Sequence, residues 1–353
     1  MQLSQLDSFL PKELIAQKPV SPRDRSKLLV LNRNTGEIQQ KCFFEIEDYL
    51  SPNDVLVMNN TKVFPARIFA KNSKGKQIEL LLVKEIKNGT WEAMRRGKVK
   101  VDELLKFAGV KFKILENRGE NVLVGFPITT EELFAKLYRY GITPLPPYIK
   151  PTKNEHEIRK LYQTVYAKQV GSVAAPTAGF HFTEKLIRTL KQKGIQIEYV
   201  TLQVGLGTFL PIKATDLGKH TMHSESFEVH HNTLKRLNQA KAQGKRIIAT
   251  GTTTTRVLET LADDSHKLKI ENFSGSTNLF IYPPYKFKFV DALITNFHLP
   301  KSTLLALVSA FVSNPNSTDK FRNLAESTVG KAYIEAINRN YRFYSFGDAM
   351  FIY

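Results

Sequence analysis

The feature of this sequence that most constrains its fold is the alternation of strand-like and helical segments after residue 150. Thr183 and Asn232 are predicted helix N-caps, because their side-chain oxygens accept backbone N–H groups. Alternating strands and helices favour an α/β domain, with a mainly parallel sheet or barrel and helices outside. The predicted strands cover 196–204, 246–250 and 290–295, and the predicted helices cover 183–193, 232–243, 255–262 and 302–312.

Residues 66–150 follow a different pattern. Short strands are predicted over 78–83, 91–95, 111–115 and 121–126, with turn-forming stretches between them. This pattern is typical of a small β-barrel or sandwich. Residues 1–65 supply strands at 26–31 and 54–58 but cannot form a domain alone. We therefore predict a discontinuous α/β catalytic domain, 1–65 and 151–353, interrupted by an inserted small β domain over 66–150.

Composition excludes several classes of protein. The 353 residues contain one cysteine, Cys42, so an intramolecular disulfide and a cysteine-based zinc site are excluded. No apolar run reaches the ~18 residues that a membrane helix needs. The N-terminus lacks the basic region and apolar stretch of a secretory signal. We expect a soluble, cytoplasmic protein that is not inserted in a membrane.

Charge indicates the kind of partner. The net charge is +18, and a basic surface attracts polyanions because neutralising phosphates releases counterions. Nucleic acid is the predicted partner, and an anionic membrane surface is the alternative. Residues 66–150 carry 17 Lys and Arg against 9 Asp and Glu. The predicted nucleic-acid contacts in this segment are Arg95, Arg96, Lys98 and Lys100.

Two stretches rich in small residues and threonine are predicted to line a binding site. In 171–183, glycine and alanine permit close approach of the backbone to a ligand, and the stretch ends at a helix N-terminus that favours anions. In 246–256, a hydroxyl-rich loop over 251–254 follows a strand, where open α/β sheets bind ligands. The loop has neither a Walker A nor a GxGxxG pattern, so ordinary nucleotide binding is not supported.

Histidines mark two further stretches. His220 and His223 predict acid–base or ligand-contact roles rather than a metal site, because the HxxH spacing brings two imidazoles together only on a helix. The stretch 295–303 places His298 and Lys301 at the end of a predicted strand. The segment 341–350 is predicted as an aromatic strand that closes the sheet, with Asp348 as its candidate site residue.

Ten motifs occur in order along the chain: PVSPRDRS (19–26), NNTKVFPAR (59–67), PLPPYI (144–149), YQTVY (162–166), GSVAAPTAGFHFT (171–183), VGLGTF (204–209), HTMHSE (220–225), TTTTRVLE (252–259), TNFHLPKST (295–303) and YRFYSFGDAM (341–350). Together they resemble the motifs of the S-adenosylmethionine:tRNA ribosyltransferase-isomerase family of queuosine biosynthesis. Three positions depart from the family pattern: Asn60 replaces a common Asp, Gln203 a common His and Phe346 a common Tyr. The segment 314–328 is also atypical.

The resemblance implies an unusual use of S-adenosylmethionine. Its ribosyl carbons move to the aminomethyl group of 7-aminomethyl-7-deazaguanine at the tRNA wobble position. Adenine and methionine leave, and epoxyqueuosine remains in the tRNA. The partners are thus this tRNA and S-adenosylmethionine, with no metal and no cofactor beyond that cosubstrate. The family fold is an α/β domain interrupted by a small β-barrel, and we expect a monomer.

The chemistry of the sulfonium directs the choice of catalytic residues. The sulfonium group makes the protons on the neighbouring ribose carbon acidic. A base next to that carbon can therefore start the elimination that leads to loss of adenine. The candidate base is His298 or His223, with Glu225 as its orienting partner or an alternative base. Asp348 or the other histidine would protonate the departing adenine.

The remaining candidates bind the cosubstrate. Arg23, Asp24, Thr61 and Arg256 are expected to contact its methionine or ribose. Two alternatives stay open: a non-catalytic tRNA-binding protein, and a tRNA methyltransferase that uses S-adenosylmethionine. The residues expected to contribute contacts from the two small-residue stretches are Ala175, Thr177, Gly179, Gly251, Thr252 and Thr253.

Overall fold

The computed structural model describes residues 1–151, 154–205, 212 and 214–353. The strands are β1 (Lys27–Leu31), β2 (Ile38–Cys42), β3 (Asp54–Asn59), β4 (Thr61–Val63), β5 (Arg67–Asn72), β6 (Gln77–Lys87), β7 (Thr90–Arg96), β8 (Leu104–Phe107), β9 (Val110–Arg118), β10 (Asn121–Gly125), β11 (Gln169–Ser172), β12 (Gln196–Leu202), β13 (Glu225–Glu228), β14 (Arg246–Thr250), β15 (Ser274–Thr277), β16 (Ala292–Asn296) and β17 (Ala349–Ile352). The α-helices are α1 (Thr130–Tyr140), α2 (Glu155–Leu161), α3 (Glu184–Gln192), α4 (His231–Ala242), α5 (Gly251–Leu261), α6 (Thr303–Val312) and α7 (Thr328–Asn338). Short 3-10 helices lie at Leu3–Leu6, Lys12–Leu14, Arg23–Arg25, Phe43–Tyr49, Thr177–His181, Leu217–Lys219 and Ile270–Asn272.

The chain forms two compact units. The first comprises Met1–Thr61, Thr164–Gln169 and Pro176–Tyr353, and the second comprises Lys62–Gln163 and Val170–Ala175. The predicted fold class, an α/β fold with an inserted small barrel, is confirmed. The proposed boundaries of a catalytic domain, at 65/66 and 150/151, stay a prediction.

The first unit is built on a nine-stranded sheet with the order β15-β13-β12-β3-β14-β16-β17-β1-β2. Its centre, β12-β3-β14-β16, is parallel. Strand β17 runs antiparallel to β16, because it begins at the edge where β16 ends. The sheet is therefore mixed, with four parallel strands at its centre and a second parallel pair, β17 and β1, beside them.

The central strands of this unit are buried on both faces, and one part of the core lies between them and α3. The buried side chains of Leu56 and Ile248 belong to one hydrophobic cluster with Leu186 and Leu190 of α3. Helix α3 begins as predicted, since the Thr183 hydroxyl accepts the N–H of Leu186. Burial of its apolar stripe fixes the helix against the sheet.

Three predicted elements differ from the structure. The predicted loop 251–254 is the first turn of α5, because Gly251 (φ +87°) makes the sharp bend that lets the helix start directly after β14. Helix α4 begins at His231, so Asn232 lies inside its first turn and is not the N-cap. Residues 341–348 are not a strand, since the chain turns at Tyr344 (φ +69°) and β17 starts only at Ala349.

The second unit contains a closed six-stranded barrel with the order β10-β7-β6-β5-β8-β9. Alternate side chains such as Ile68, Leu80 and Phe112 fill its interior. The unit also contains helix α1, which the sequence analysis missed although Thr129 and Glu132 form a capping box at its start. In the part of the chain that the structure describes, no helix is both long and apolar enough to cross a membrane.

Candidate active site

The polar site residues of the first unit gather at one edge of its sheet. The carboxyl ends of the parallel strands β12, β3, β14 and β16 meet there. The antiparallel strands β13 and β17 begin at the same edge, which adds Glu225 and Asp348. Strand β1 also begins there, next to β17. The sheet topology therefore collects residues that are more than 300 positions apart in sequence.

A buried hydrogen-bonded network centres on His181, which the sequence analysis did not select. Its Nδ1 lies 2.7 Å from Ser26 Oγ, and its Nε2 lies 3.2 Å from Asn296 Nδ2. Asn296 Nδ2 also donates to the Tyr344 carbonyl, so the amide nitrogen faces His181 and Nε2 must accept. The proton of the neutral ring is thus on Nδ1 and points to Ser26. Burial lowers the pKa of His181 to about 4.

His298 is buried in the loop after β16. Its Nε2 lies 2.8 Å from Thr295 Oγ1, and its backbone N–H donates to the Tyr333 hydroxyl at 2.9 Å. Among the described residues its Nδ1 has no hydrogen-bond partner. Burial lowers the pKa of His298 to about 3. The ring is therefore neutral at physiological pH, and Nδ1 is available to accept a proton in the tautomer whose Nε2–H donates to Thr295 Oγ1.

Glu225 and Arg256 form a buried ion pair, with each side chain 5% exposed. The other Glu225 oxygen accepts the N–H of Gly205 at 2.8 Å. Arg256 Nε donates to the Leu279 carbonyl at 3.0 Å. The pair thus ties α5 to β13 and to the segment after β15. Both residues have protein partners, which suits a positioning role.

Asp348 is likewise engaged by protein donors. One oxygen accepts from the backbone of Lys27 at 3.2 Å and from the Arg342 guanidinium at 2.8 Å. The other accepts the backbone N–H of Arg342 at 2.8 Å. This arrangement anchors the turn before β17 and fits a positioning role.

His223 is exposed in the segment before β13 and lies outside any helix. The neighbouring His220 packs edge-on against Phe280, with ring centroids 5.1 Å apart. Burial, and to a smaller extent His223, lower the pKa of His220. Within residues 1–151, 154–205, 212 and 214–353, no three His, Cys, Asp or Glu side chains are placed to hold a metal ion.

The predicted cosubstrate contacts are distributed over several elements. Arg23 lies over the Phe180 ring at 5.2 Å, and burial lowers its pKa. The Asp24 carboxylate accepts the Thr183 hydroxyl at 2.7 Å, so it supports the start of α3. Thr177 donates to Asn296 Oδ1 at 3.2 Å and thereby joins the His181 network.

The predicted cosubstrate contacts in the two small-residue stretches lie in different surroundings. Gly179 leaves no room for a side chain, because a Cβ there would lie 1.9 Å from the Tyr166 hydroxyl. Ala175 belongs to the second unit, and its proposed contact stays a prediction. Gly251, Thr252 and Thr253 form the buried first turn of α5.

Two positions that depart from the family pattern lie beside β12. Asn60 Oδ1 accepts the Thr201 hydroxyl at 2.7 Å, and Gln203 Oε1 accepts the Thr61 hydroxyl at 2.8 Å. Thr61 is thus bonded to Gln203, and its proposed contact with the cosubstrate stays a prediction. Residues 206–209 of the VGLGTF motif lie outside the described residues.

The basic cluster predicted to bind nucleic acid lies at the end of β7 and in the following loop. Arg96, Lys98 and Lys100 are exposed, and Arg96 is 3.7 Å from Glu79. Arg95 is partly buried and donates to the Gly97 carbonyl. Three of the four cations therefore face solvent.

The two buried histidines predict a pH-dependent stability. Their folded pKa values lie below the ordinary 6.5, so the unfolded state binds protons first as pH falls. The stability that the two neutral rings contribute, measured as free energy of unfolding, is complete above pH 6.5 and is lost as pH falls toward 4. At pH 5 we expect a loss of about 2 kcal/mol per histidine. Urea unfolding at pH 7 and pH 5 measures this, with His231→Gln, an exposed histidine, as the control. Equal stability at both pH values would show that the rings are not held neutral.

The fold and this edge define an α/β protein whose candidate site lies at the carboxyl ends of parallel strands, where such folds bind ligands. Comparison with known proteins identifies the family. Residues 3–352 match the model of the family described as "Queuosine biosynthesis protein". The chain belongs to this family.

Named relatives match this chain in sequence along the whole length of both proteins. The chain is 48% identical to the S-adenosylmethionine:tRNA ribosyltransferase-isomerase of Thermotoga petrophila and 46% identical to that of Macrococcus caseolyticus, with 100% of each chain covered. The crystal structure of S-adenosylmethionine tRNA ribosyltransferase from Thermotoga maritima is similar, with a TM-score of 0.54 and 37% identity, over 99% of this chain and 100% of that one.

Proposed function

We propose that this protein is an enzyme that transfers and isomerises the ribosyl group of S-adenosylmethionine onto 7-aminomethyl-7-deazaguanine in the tRNA wobble position. The products are epoxyqueuosine in tRNA, adenine and methionine. The observation that carries the proposal is the sheet edge, where buried His181 and His298 lie with Glu225, Arg256 and Asp348. These residues come from five of the motifs that resemble the family.

The proposed roles follow from the partners of each side chain. His298 is neutral, and in the part of the chain that the structure describes its Nδ1 has no hydrogen-bond partner. We therefore assign it as the base, in the tautomer whose Nε2–H donates to Thr295, with exposed His223 as the alternative. Glu225 and Asp348 already accept from arginine and backbone donors. They therefore act as positioning residues, and the proton for departing adenine comes from a histidine.

The products distinguish this activity from its alternatives. Purified protein is incubated with S-adenosylmethionine and tRNA carrying 7-aminomethyl-7-deazaguanine, and adenine and methionine are quantified. Equimolar release of both supports the proposal. S-adenosylhomocysteine would indicate a methyltransferase, and absence of turnover together with tRNA binding would indicate a non-catalytic binding protein.

Phosphate contacts are proposed for the basic cluster of the second unit. Replacing Arg95, Arg96, Lys98 and Lys100 together by alanine should weaken tRNA binding at physiological salt and make the salt dependence less steep by about 0.9 per lost contact in the log–log slope. Affinity for S-adenosylmethionine should stay near wild type, since phosphate contacts position the nucleic acid. Filter binding over a salt series measures both properties of the tRNA complex.

A matched control removes the same charge elsewhere on the barrel. Lys71, Lys106, Lys111 and Lys113 are exposed on β5, β8 and β9. Their quadruple alanine variant should bind tRNA more tightly than the first variant does. Equal losses in the two variants would mean that general charge, and not this cluster, attracts the tRNA.

A further inference from the structure

A pocket lies between the first turns of α5 and α6 in the first unit. Its enclosed part is small, about 10 Å³ or the room of one water-sized group, and it opens to solvent on one side. Its wall is largely apolar, with neutral hydroxyls and the Arg256 side chain among its lining groups. The lining residues used below are Met222, Thr253, Leu279, Phe280, Thr303 and Leu307.

Three buried hydroxyls near this pocket have no partner in the described part of the chain. They belong to Thr250, Thr253 and Thr303, which are 1%, 7% and 5% exposed. Thr253 and Thr303 line the pocket itself. An unpaired buried hydroxyl costs free energy, so two of them in one pocket indicate a ligand that accepts hydrogen bonds there.

The start of α5 adds a second, independent property. Thr250 occupies the N-cap position, but its side chain makes no capping hydrogen bond. The residues of the first turn, Gly251 to Thr253, are buried. A helix N-terminus carries partial positive charge and free N–H groups, so this one favours an anion.

The cation in the pocket wall is already neutralised. Arg256 is paired with Glu225 and bonded to the Leu279 carbonyl. It therefore shapes the wall, and the attraction for a carboxylate comes from the helix start and the hydroxyls. The apolar groups of Met222, Leu279 and Leu307 suit the methylene chain attached to that carboxylate.

We propose that this pocket binds the amino-acid end of S-adenosylmethionine, with the carboxylate at the start of α5 and within reach of the Thr253 and Thr303 hydroxyls. The inference rests on the proposed function, because it takes S-adenosylmethionine as the substrate. It makes Thr253 and Thr303 binding residues for one defined group of that substrate.

The experiment compares two ligands that differ in this group alone. Equilibrium binding of S-adenosylmethionine and of decarboxylated S-adenosylmethionine is measured with an unmodified anticodon stem-loop present, so that no reaction occurs. Thr253→Val and Thr303→Val should each weaken binding of S-adenosylmethionine about tenfold or more, the effect of losing a hydrogen bond to a charged group. Binding of the decarboxylated compound should change little in either variant.

Ser309→Ala is the matched control. Ser309 is another fully buried residue, and its hydroxyl has no partner among the described residues. It lies on α6 outside the pocket lining. This variant should bind both compounds as wild type does. Without ligand, all three variants should unfold at or above the wild-type temperature, because each loses an unpaired buried hydroxyl. Thermal unfolding thus separates loss of binding from loss of folding.

Two results would overturn the assignment. One is equal affinity of the wild-type protein for the two compounds, and the other is an equal loss for both compounds in the valine variants. Equal losses would point to adenine or ribose as the occupant. Failure of the proposed function is a separate result, since it appears as absence of adenine release by the wild-type protein with modified tRNA.

Discussion

Replacing His298 by alanine should lower kcat about 10²-fold or more at saturating S-adenosylmethionine and tRNA, since this is the usual contribution of a positioned acid or base. The buried ring is neutral, and among the described residues its Nδ1 is free. Adenine release gives the rate. Because burial lowers the pKa of His298 to about 3, wild-type kcat/KM should show no acid limb near pH 6.5 from this residue.

Two further variants make the His298 result interpretable. His231→Ala removes an exposed histidine at the start of α4 and should leave turnover unchanged. His223→Ala tests the alternative base. Wild-type turnover in a folded His298→Ala protein, with a large loss in His223→Ala, would transfer the role to His223.

Replacing Arg256 by methionine should destabilise the protein by about 3–5 kcal/mol, because it removes the guanidinium from its buried ion pair with the Glu225 carboxylate. Chemical unfolding at pH 7 measures the loss. The double variant Arg256→Met/Glu225→Gln should recover most of this loss, since the carboxylate charge that Arg256 balances is removed with it. A double variant that is no more stable than Arg256→Met would show that the charge of Glu225 is not the cause.

The control for the loss of stability in Arg256→Met is the same substitution in an exposed ion pair. Arg188 and Glu184 lie 3.8 Å apart on α3, with side chains 67% and 73% exposed. Arg188→Met should cost about 0–1 kcal/mol, because water screens such pairs. Similar losses in Arg188→Met and Arg256→Met would contradict the buried pairing.

Local elements follow from local chemistry. The cap at Thr183, the strand over 246–250 and the helix after Ser302 appear in the structure as the pattern predicts. Their signals are a capping side chain and apolar periodicity, which act within one or two turns of the chain. Helix α1 carries the same kind of signal in its capping box, but it follows a run of short strands and turns whose pattern is typical of an all-β segment.

The predicted secondary structure is wrong where contacts with neighbouring elements override the conformation that the local residues prefer. The run 251–254 has hydroxyl-rich, loop-like composition, yet Thr254 and Thr255 donate to the carbonyls of Thr250 and Gly251 and stay helical. The turn at Tyr344 is held by its backbone bond to the Phe297 carbonyl, 3.0 Å away. No property of residues 341–350 alone encodes that partner.

The amino-acid sequence determines the family, the strand and helix types and the stretches that carry reactive groups, because these depend on residue identity and on periodicity over a few residues. Tertiary structure decides which groups meet. Ser26, His181 and Asn296 become one network only because β1, β16 and the Thr177–His181 turn reach the same sheet edge. Strand order and register set that proximity, and the burial that lowers the histidine pKa values arises only when the chain closes around them.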